Sequence, residues 1–336
     1  MTVQQALQHV VNGGSLSQEE AQAVMGTLML GETHHGLIGA FLGAMQTKGV
    51  TGEELAGFAR GMRSHALQLD FGIENLVDTC GTGGGASTFN LSTGAAILAA
   101  ACGAKVAKHG NRAVTSHCGS ADVLEALGVP LESDEAQHAR RLEECNLVFL
   151  FAPSHHPAVR HVAPVRKALG IRTFFNLLGP LANPAGAKRQ IVGVFDKEAV
   201  EPVAQALQLL GAERAFVVHA HDGLDEVSPC APTSYIEVRG EFINRGTWNV
   251  EDFGMSPLPG NSLEAASDIP GNAEILRDAL SHFESGRSEA LVPNTAVTLV
   301  LAGVADNVTS GAEMARNAIR SGLASNLLAK LCGDAS

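Results

Sequence analysis

Aromatic side chains are scarce in this sequence. Phe, Tyr and Trp together make up 4% of 336 residues, with one Trp and one Tyr. That disfavours the stacking platforms on which single-stranded nucleic acid is held. Basic charge is also short. Lys and Arg number 23 against 35 Asp and Glu, so the formal net charge is 23 − 35 = −12. A surface of that sign repels nucleic acid and anionic membranes, although a local basic cluster can still bind a small anion. Paired cysteines are missing too. Cys80, Cys102, Cys118, Cys145, Cys230 and Cys332 lie apart, with no C-x-x-C pair. This reads as reduced thiols in a cytosolic protein, neither a disulfide framework nor a zinc site. The most apolar run, 93–104, is far short of the ~20 residues of a membrane span. The start, Met-Thr-Val-Gln-Gln-Ala, has no basic or apolar region of a signal peptide. The expectation is a cytoplasmic protein that binds neither nucleic acid nor membrane.

What is present suffices for a full core. Apolar residues make up 45%, and the length allows about two domains at roughly 150 residues each. Residues 1–70 read as purely helical. Apolar residues recur at spacings of three and four: Val3, Ala6, Leu7, Val10 and Val11, then Ala21, Val24, Met25 and Leu28. Ser17 and Thr51 open helices, and Thr51 with Glu54 makes a capping box. Gly13-Gly14 and Gly31 mark helix ends. From Leu76 onward strands alternate with helices. Strands are expected at 76–80, 105–108, 147–151, 191–195 and 215–219. Helices are expected from the glycine loop to about 102, at 120–127 and at 198–210. Such alternation implies βαβ units and a mostly parallel sheet. Residues 235–243 read as a hairpin containing Gly240, 256–271 as a flexible connection, and 272 onward as helices. The fold class is α/β, with a small all-helical unit attached.

Four segments carry chemistry. The first runs from Cys80-Gly81-Thr82-Gly83-Gly84-Gly85 through Thr88, Asn90, Leu91, Ser92 and Thr93. Glycines after a strand let backbone N–H groups turn toward one point, which suits an anion. Asn90, Ser92 and Thr93 then sit at a helix N-terminus, where free N–H groups favour phosphate. The plain alternative is a flexible turn with an ordinary cap. Gly81, Gly83 and Ala86 fit the dinucleotide pattern G-x-G-x-x-A, but the helix starts too late. The next strand also ends in Lys108, which suits a diphosphate and which a ribose hydroxyl does not require. The Gly-Lys-Ser/Thr of a P-loop is absent.

The second segment, 108–122, gathers Lys108, His109, Asn111, Arg112, Ser116 and Ser120 between a strand and a helix, on the same sheet edge. It reads as phosphate and substrate contacts, against a solvated basic turn. The third, 222–228, places Asp225 and Glu226 side by side. Adjacent carboxylates suit Mg2+, which takes one or two of them plus substrate phosphate oxygens; an acidic surface turn is the alternative. His219 and His221 lack a further His or Cys to complete a transition-metal site. In the fourth, 163–184, Arg166 is a candidate carboxylate fork, or else a surface arginine. His155, His156 and His161 read as polar contacts at a domain junction.

Together these segments resemble the anthranilate phosphoribosyltransferase family of nucleoside phosphorylase-like transferases. The matching strings are GTGG…FNLST, KHGNR…GSAD.LEALGV, HP…RHVAPVR..LGIRT.FNLLGPLANP…VGV and DGLDE.S, in the same order over nearly the whole chain. The helical start (KGVTGEELAGFARGM) and Asn294-Thr295-Ala296 near the end agree. The resemblance implies a small all-helical domain at 1–70, completed by helices within about 160–184. It also implies a larger domain at 71–159 and 185–336, with a mostly parallel central sheet flanked by helices. A homodimer through the helical domain is implied as well. Carried onto this sequence, Gly81, Gly84, Gly85, Thr88, Asn90, Leu91, Ser92, Thr93, Lys108, Asn111, Arg112, Ser116 and Ser120 would hold phosphoribosyl pyrophosphate. Ser92, Asp225 and Glu226 would hold Mg2+. Gly81, His109, Asn111, Arg166 and the backbone at Gly179 would hold anthranilate, and catalytic roles would fall to Lys108, His109 and Arg166.

Two departures stand out. The family loop reads GTGGDG; here it is one residue shorter and lacks the aspartate, so metal–substrate handling is expected to differ while the backbone amides remain. His117 and Cys118 replace a basic residue and a serine. His117, with a reference pKa of ~6.5, is expected to make diphosphate binding more pH-sensitive. A pyrimidine nucleoside phosphorylase-like enzyme and a non-catalytic nucleic-acid-binding relative are the rival readings. Lys108-His109-Gly110-Asn111-Arg112 opposes the first and the net charge opposes the second.

Overall fold

The structure, a computed structural model, describes residues 1–85, 88–113, 118–131, 134–283 and 285–333. The chain opens with four helices, α1 (Val3–Val11), α2 (Gln18–Leu30), α3 (His35–Lys48) and α4 (Gly52–Arg63). Their starts follow from local chemistry. Thr2, Ser17 and Thr51 each accept the backbone N–H three residues on, and Gln5, Glu20 and Glu54 answer back to the cap. Each such cap contributes about 1 kcal/mol. Glu54 is fully buried and also receives Leu16 N–H and Lys48 Nζ, both at 2.9 Å, tying the α1–α2 turn to α4.

The larger part alternates as expected: β1 (Val77–Asp78), α5 (Leu91–Ala101), β2 (Val106–Gly110), α6 (Ser120–Ala126), α7 (Glu135–Cys145) and β3 (Leu147–Phe151). A crossover then carries α8 (Ala152–His155), α9 (Ala163–Leu169) and α10 (Phe175–Leu178). After it come β4 (Arg189–Gly193), α11 (Val200–Leu209), β5 (Arg214–Ala220), β6 (Thr233–Arg239) and β7 (Phe242–Trp248). The chain ends with α12 (Ile269–Ser281), α13 (Gly286–Ala302), α14 (Val308–Arg320) and α15 (Leu323–Leu331).

The sheet order is β3-β2-β1-β4-β5-β6-β7; the first five strands run parallel and the last two pair antiparallel. Alternation puts Ile191, Phe216 and Val218 on one face with α5 and α12–α15, and Val192, Ala215 and Val217 on the other with α11 and the first helices. The crossover joins that second core: Phe174 stacks on Phe58 at 4.3 Å between ring centroids. After β1 the chain builds outward through β2 and β3, then returns to β1's other side at β4. Ligands of open α/β sheets bind at such a reversal, beyond the carboxyl ends of the strands.

Several details differ from the sequence reading. The strand expected at 76–80 pairs for two residues only, because the chain leaves the ladder toward the glycine loop. A short turn at Lys197–Ala199 precedes α11, and the hairpin strands run longer than expected. Helix α7 was not foreseen. The stretch 256–271 is mostly exposed, but it is anchored at Leu263, which is buried and whose carbonyl accepts Phe89 N–H at 3.0 Å.

Candidate active site

The glycine loop leaves β1 and is held first by β4. Thr82 N–H donates to Gly193 O at 2.8 Å, and Phe195 N–H donates to Thr82 Oγ1 at 3.3 Å. Position 193 has to be glycine, since a Cβ there would lie 1.7 Å from the Asp225 carbonyl oxygen. That close approach seats Asp225 and Glu226 against the loop. The Asp225 carboxylate accepts N–H bonds from Gly83 and Gly85. Asn294 on α13 braces the segment behind: it accepts Val227 N–H at 2.9 Å and donates to Val227 O at 3.0 Å. Backbone amides therefore do converge on an oxyanion, and in this structure the oxyanion is a carboxylate of the chain itself.

Glu226 lies deeper and is hydrogen-bonded by Ser92. Burial, and then the neighbouring Asp225, push it up to about 8, against the pull of Lys108 and Ser92. Burial also raises Asp225, opposed by the loop amides and Arg172. Lys108 itself is 3% exposed. Its Nζ donates to Thr79 O at 3.0 Å, Thr79 Oγ1 at 3.1 Å and Ser92 Oγ at 3.3 Å. An ammonium has three N–H groups, so all are engaged by the protein. The lysine read as a phosphate contact here supports the floor of the site, orienting Ser92 and offsetting buried carboxylate charge.

This donor set fits Mg2+. Ser92, Asp225 and Glu226 are hard oxygen donors, and adjacent buried carboxylates are costly to ionise without a cation. Among the described residues no group of three His, Cys, Asp or Glu forms a closed metal cage. At the start of α5, Asn90 donates to Cys118 O at 3.1 Å, yet its Oδ1 and Thr93 Oγ1 are buried with no partner among the described residues. Both residues lie in the first turn of the helix, the end where an anion is favoured. Leu91 is buried in the core, and Gly81 packs on Gly193 O.

His109, at the end of β2, is the second focus. Its N–H donates to Asp78 Oδ1 at 3.1 Å, while Asn183 Nδ2 donates to Asp78 Oδ2 at 2.7 Å and to Ala107 O at 2.9 Å. Burial pushes the enclosed Asp78 up to about 6, despite those bonds. His109 Nδ1 lies 3.0 Å from Gly179 O. A carbonyl only accepts, so Nδ1 carries the proton and Nε2 is left as an acceptor. Nε2 is buried with no partner among the described residues. Burial, and then the His156 ring at 5.2 Å, hold His109 down at about 3, and burial holds His156 at about 4. Both rings are neutral near pH 7. Arg166 projects from α9 over the Phe175 ring at 5.1 Å. It is half-buried, and among the described residues no carboxylate lies within ion-pair distance. Phe175 opens α10 and Gly179 follows it, so one short segment carries the groups beside both Arg166 and His109.

The 108–122 segment holds a surprise. Arg112, read as a phosphate cation, is engaged by Glu125 at 2.7 and 3.1 Å and by Asp122 at 3.1 Å. Asp122 also accepts Ala113 N–H and Gly119 N–H, each at 2.9 Å, pinching the ends of the turn together. Asn111 accepts Arg112 N–H on its side chain, and its carbonyl takes Ser120 Oγ at 3.3 Å. Thr88 is half-buried. Ser116 and His117 lie outside the described residues. The sequence reading missed Asp78, whose signal was a lone carboxylate closing an apolar strand, and assigned His156 no place beside His109. It also missed Arg172, which meets the loop only in three dimensions.

A helical bundle joined to an α/β sheet, with an anion loop and a carboxylate pair at the switch point, defines a class. Residues 4–66 match the glycosyl transferase family helical bundle domain and residues 73–325 the glycosyl transferase family a/b domain, so the chain is a glycosyl transferase of this two-part build. The anthranilate phosphoribosyltransferase of Myxococcus xanthus is 46% identical over 333 residues, 98% of each chain. That of Desulfatibacillum aliphaticivorans is 47% identical over 324 residues, covering 95% of this chain and 94% of the other. The crystal structure of anthranilate phosphoribosyltransferase from Thermus thermophilus superposes with a TM-score of 0.90 at 40% identity, over 98% of both chains. The Saccharomyces cerevisiae structure in complex with PRPP and Mg gives 0.88 at 26% identity, over 99% of this chain and 97% of the other. The chain belongs to the anthranilate phosphoribosyltransferase family.

Proposed function

We propose that the protein transfers the phosphoribosyl group of phosphoribosyl pyrophosphate to the amine of anthranilate. The products are N-(5-phosphoribosyl)anthranilate and pyrophosphate, in tryptophan biosynthesis. The observation that carries this reading is the Asp225–Glu226 pair seated directly against the amides of the glycine loop. Mg2+ held there by Ser92, Asp225 and Glu226 would neutralise charge developing on the departing pyrophosphate. The start of α5 and the loop amides not already taken by Asp225 and Gly193 would bind the diphosphate oxygens by fixed dipoles.

Anthranilate's amine is already nucleophilic at neutral pH, so no strong base is required. His109 suits this chemistry because it is neutral, with Nε2 free to accept an amine N–H as the bond to ribose C1 forms. Asp78 and Gly179 fix the ring's backbone and tautomer. Arg166, with no carboxylate partner among the described residues and set over the Phe175 ring, would take the anthranilate carboxylate. No covalent enzyme intermediate is expected. Pairing into a homodimer through the helical part is supported by an open, mostly apolar groove of about 350 Å3 between α3 and α9. A cytoplasmic setting is supported by cysteines scattered along the chain with no C-x-x-C pair.

Incubation with phosphoribosyl pyrophosphate, Mg2+ and anthranilate tests the reading. Anthranilate fluorescence should decay only when all three are present. Absence of decay, or phosphate-dependent cleavage of a pyrimidine nucleoside, would overturn it. Arg166→Ala should raise the anthranilate KM by roughly 10–100-fold, the scale of a lost charge-assisted pair. The KM for phosphoribosyl pyrophosphate should stay near that of the parent; a change confined to that substrate contradicts the assignment.

A further inference from the structure

Arg172 lies in the crossover just after α9, 88 residues from the glycine loop, yet its guanidinium donates to the Gly84 carbonyl. The same group sits 4.0 Å from the centroid of the Phe195 ring. A Cβ on Gly84 would fall 2.7 Å from Nη2, 2.8 Å from Cζ and 3.2 Å from Nε. The guanidinium therefore packs against the Phe195 ring and lies close against the bare backbone of Gly84, which also has a φ of +91°. Gly84 suits both demands, having no side chain to block the stack and no penalty for that φ.

The loop is gripped by opposite charges on its two kinds of backbone group. Gly83 and Gly85 give their N–H groups to Asp225, and Gly84 gives its carbonyl to Arg172. Arg172 also acts electrostatically on Asp225. Phe195, the stacking partner, is itself bonded through its N–H to Thr82. Among the described residues no carboxylate lies within ion-pair distance of Arg172, in contrast to Arg112. The run Gly83-Gly84-Gly85 carries no side chain to order itself, and ordering glycine backbone costs more entropy than ordering any other residue. A grip from outside the loop supplies that order in advance.

We propose that Arg172 is a positioning residue for phosphoribosyl transfer. It presets the glycine loop, against Phe195 and Asp225, for the diphosphate of the phosphoribosyl donor. The proposal rests on the activity assigned above. In Arg172→Ala the KM for phosphoribosyl pyrophosphate should rise about 10-fold, with the anthranilate KM within about twofold and kcat within about threefold of the parent. Arg172→Lys keeps the charge but loses the flat, forked group, so it should recover little of the loss. Phe195→Leu removes the stacking face alone and should shift the same KM in the same direction. Independently of substrates, amide hydrogen exchange across 81–85 in the unliganded protein should quicken about 10-fold in Arg172→Ala. Unchanged loop exchange, full rescue by lysine, or a fall in kcat at constant KM would each overturn the proposal. If the parent made no product, the activity assignment would fail while the exchange experiment still decided whether Arg172 orders the loop.

Discussion

Lys108→Ala should lower kcat by about 100-fold or more, the scale of a lost electrostatic group at a reacting site. The route to that loss differs from a simple missing phosphate contact. Nζ engages Thr79 O, Thr79 Oγ1 and Ser92 Oγ, and its charge acts on both Asp78 and Glu226. Truncation leaves the Thr79 carbonyl without this donor, frees Ser92 to turn, and strips buried Glu226 of the cation that opposes its burial. Unpaired buried groups cost about 1–3 kcal/mol each. The variant should therefore melt lower by about 5 °C or more, at the few degrees per kcal/mol usual for domains of this size. Calorimetric melting and single-turnover product formation check the two effects together. A variant that melts low but keeps kcat within about threefold would reduce Lys108 to a brace. A variant that melts like the parent but is slow would mean that Nζ leaves its three partners to meet the diphosphate.

How far the sequence reaches is visible in this lysine. Its place on the strand that follows the glycine loop is legible, because strand and helix patterns are local and loop glycines have a backbone meaning of their own, although β2 runs two residues past Lys108, where the sequence pattern ended it. What Nζ touches is not local: Ser92 arrives from α5 and Glu226 from beyond β5. Arg112 shows the same limit in reverse. A cation in a polar turn reads as an anion contact until Asp122 and Glu125 fold back on it from α6. Arg172 carries no local signal, because its meaning depends on Gly84 and Phe195 in two other segments. The 256–271 stretch shows another limit: Pro, Gly and Ser mark irregular backbone, and only the folded chain shows that Leu263 is anchored within it.

Glu226→Gln should separate stability from activity. The glutamate is buried, bonded by Ser92 and set beside Asp225, so its ionised form is disfavoured in the metal-free protein. An amide of the same shape keeps an acceptor for Ser92 and carries no charge into that site. The metal-free variant should accordingly melt within about 2 °C of the parent, equivalent to less than about 1 kcal/mol. Its kcat at saturating substrates should fall about 100-fold or more, because a carbonyl oxygen is a weaker Mg2+ ligand and the leaving pyrophosphate loses its counter-charge. The Mg2+ concentration for half-maximal rate should rise at the same time. Titrating Mg2+ against initial rate, beside a melting curve in chelator, measures both. If the variant melted far below the parent, Glu226 would serve the fold through its bond to Ser92. If rate and Mg2+ dependence were unchanged, the metal would sit on Asp225 without it. An inactive variant as stable as its parent is the outcome expected of a buried carboxylate kept beside another, at a cost, to hold a cation.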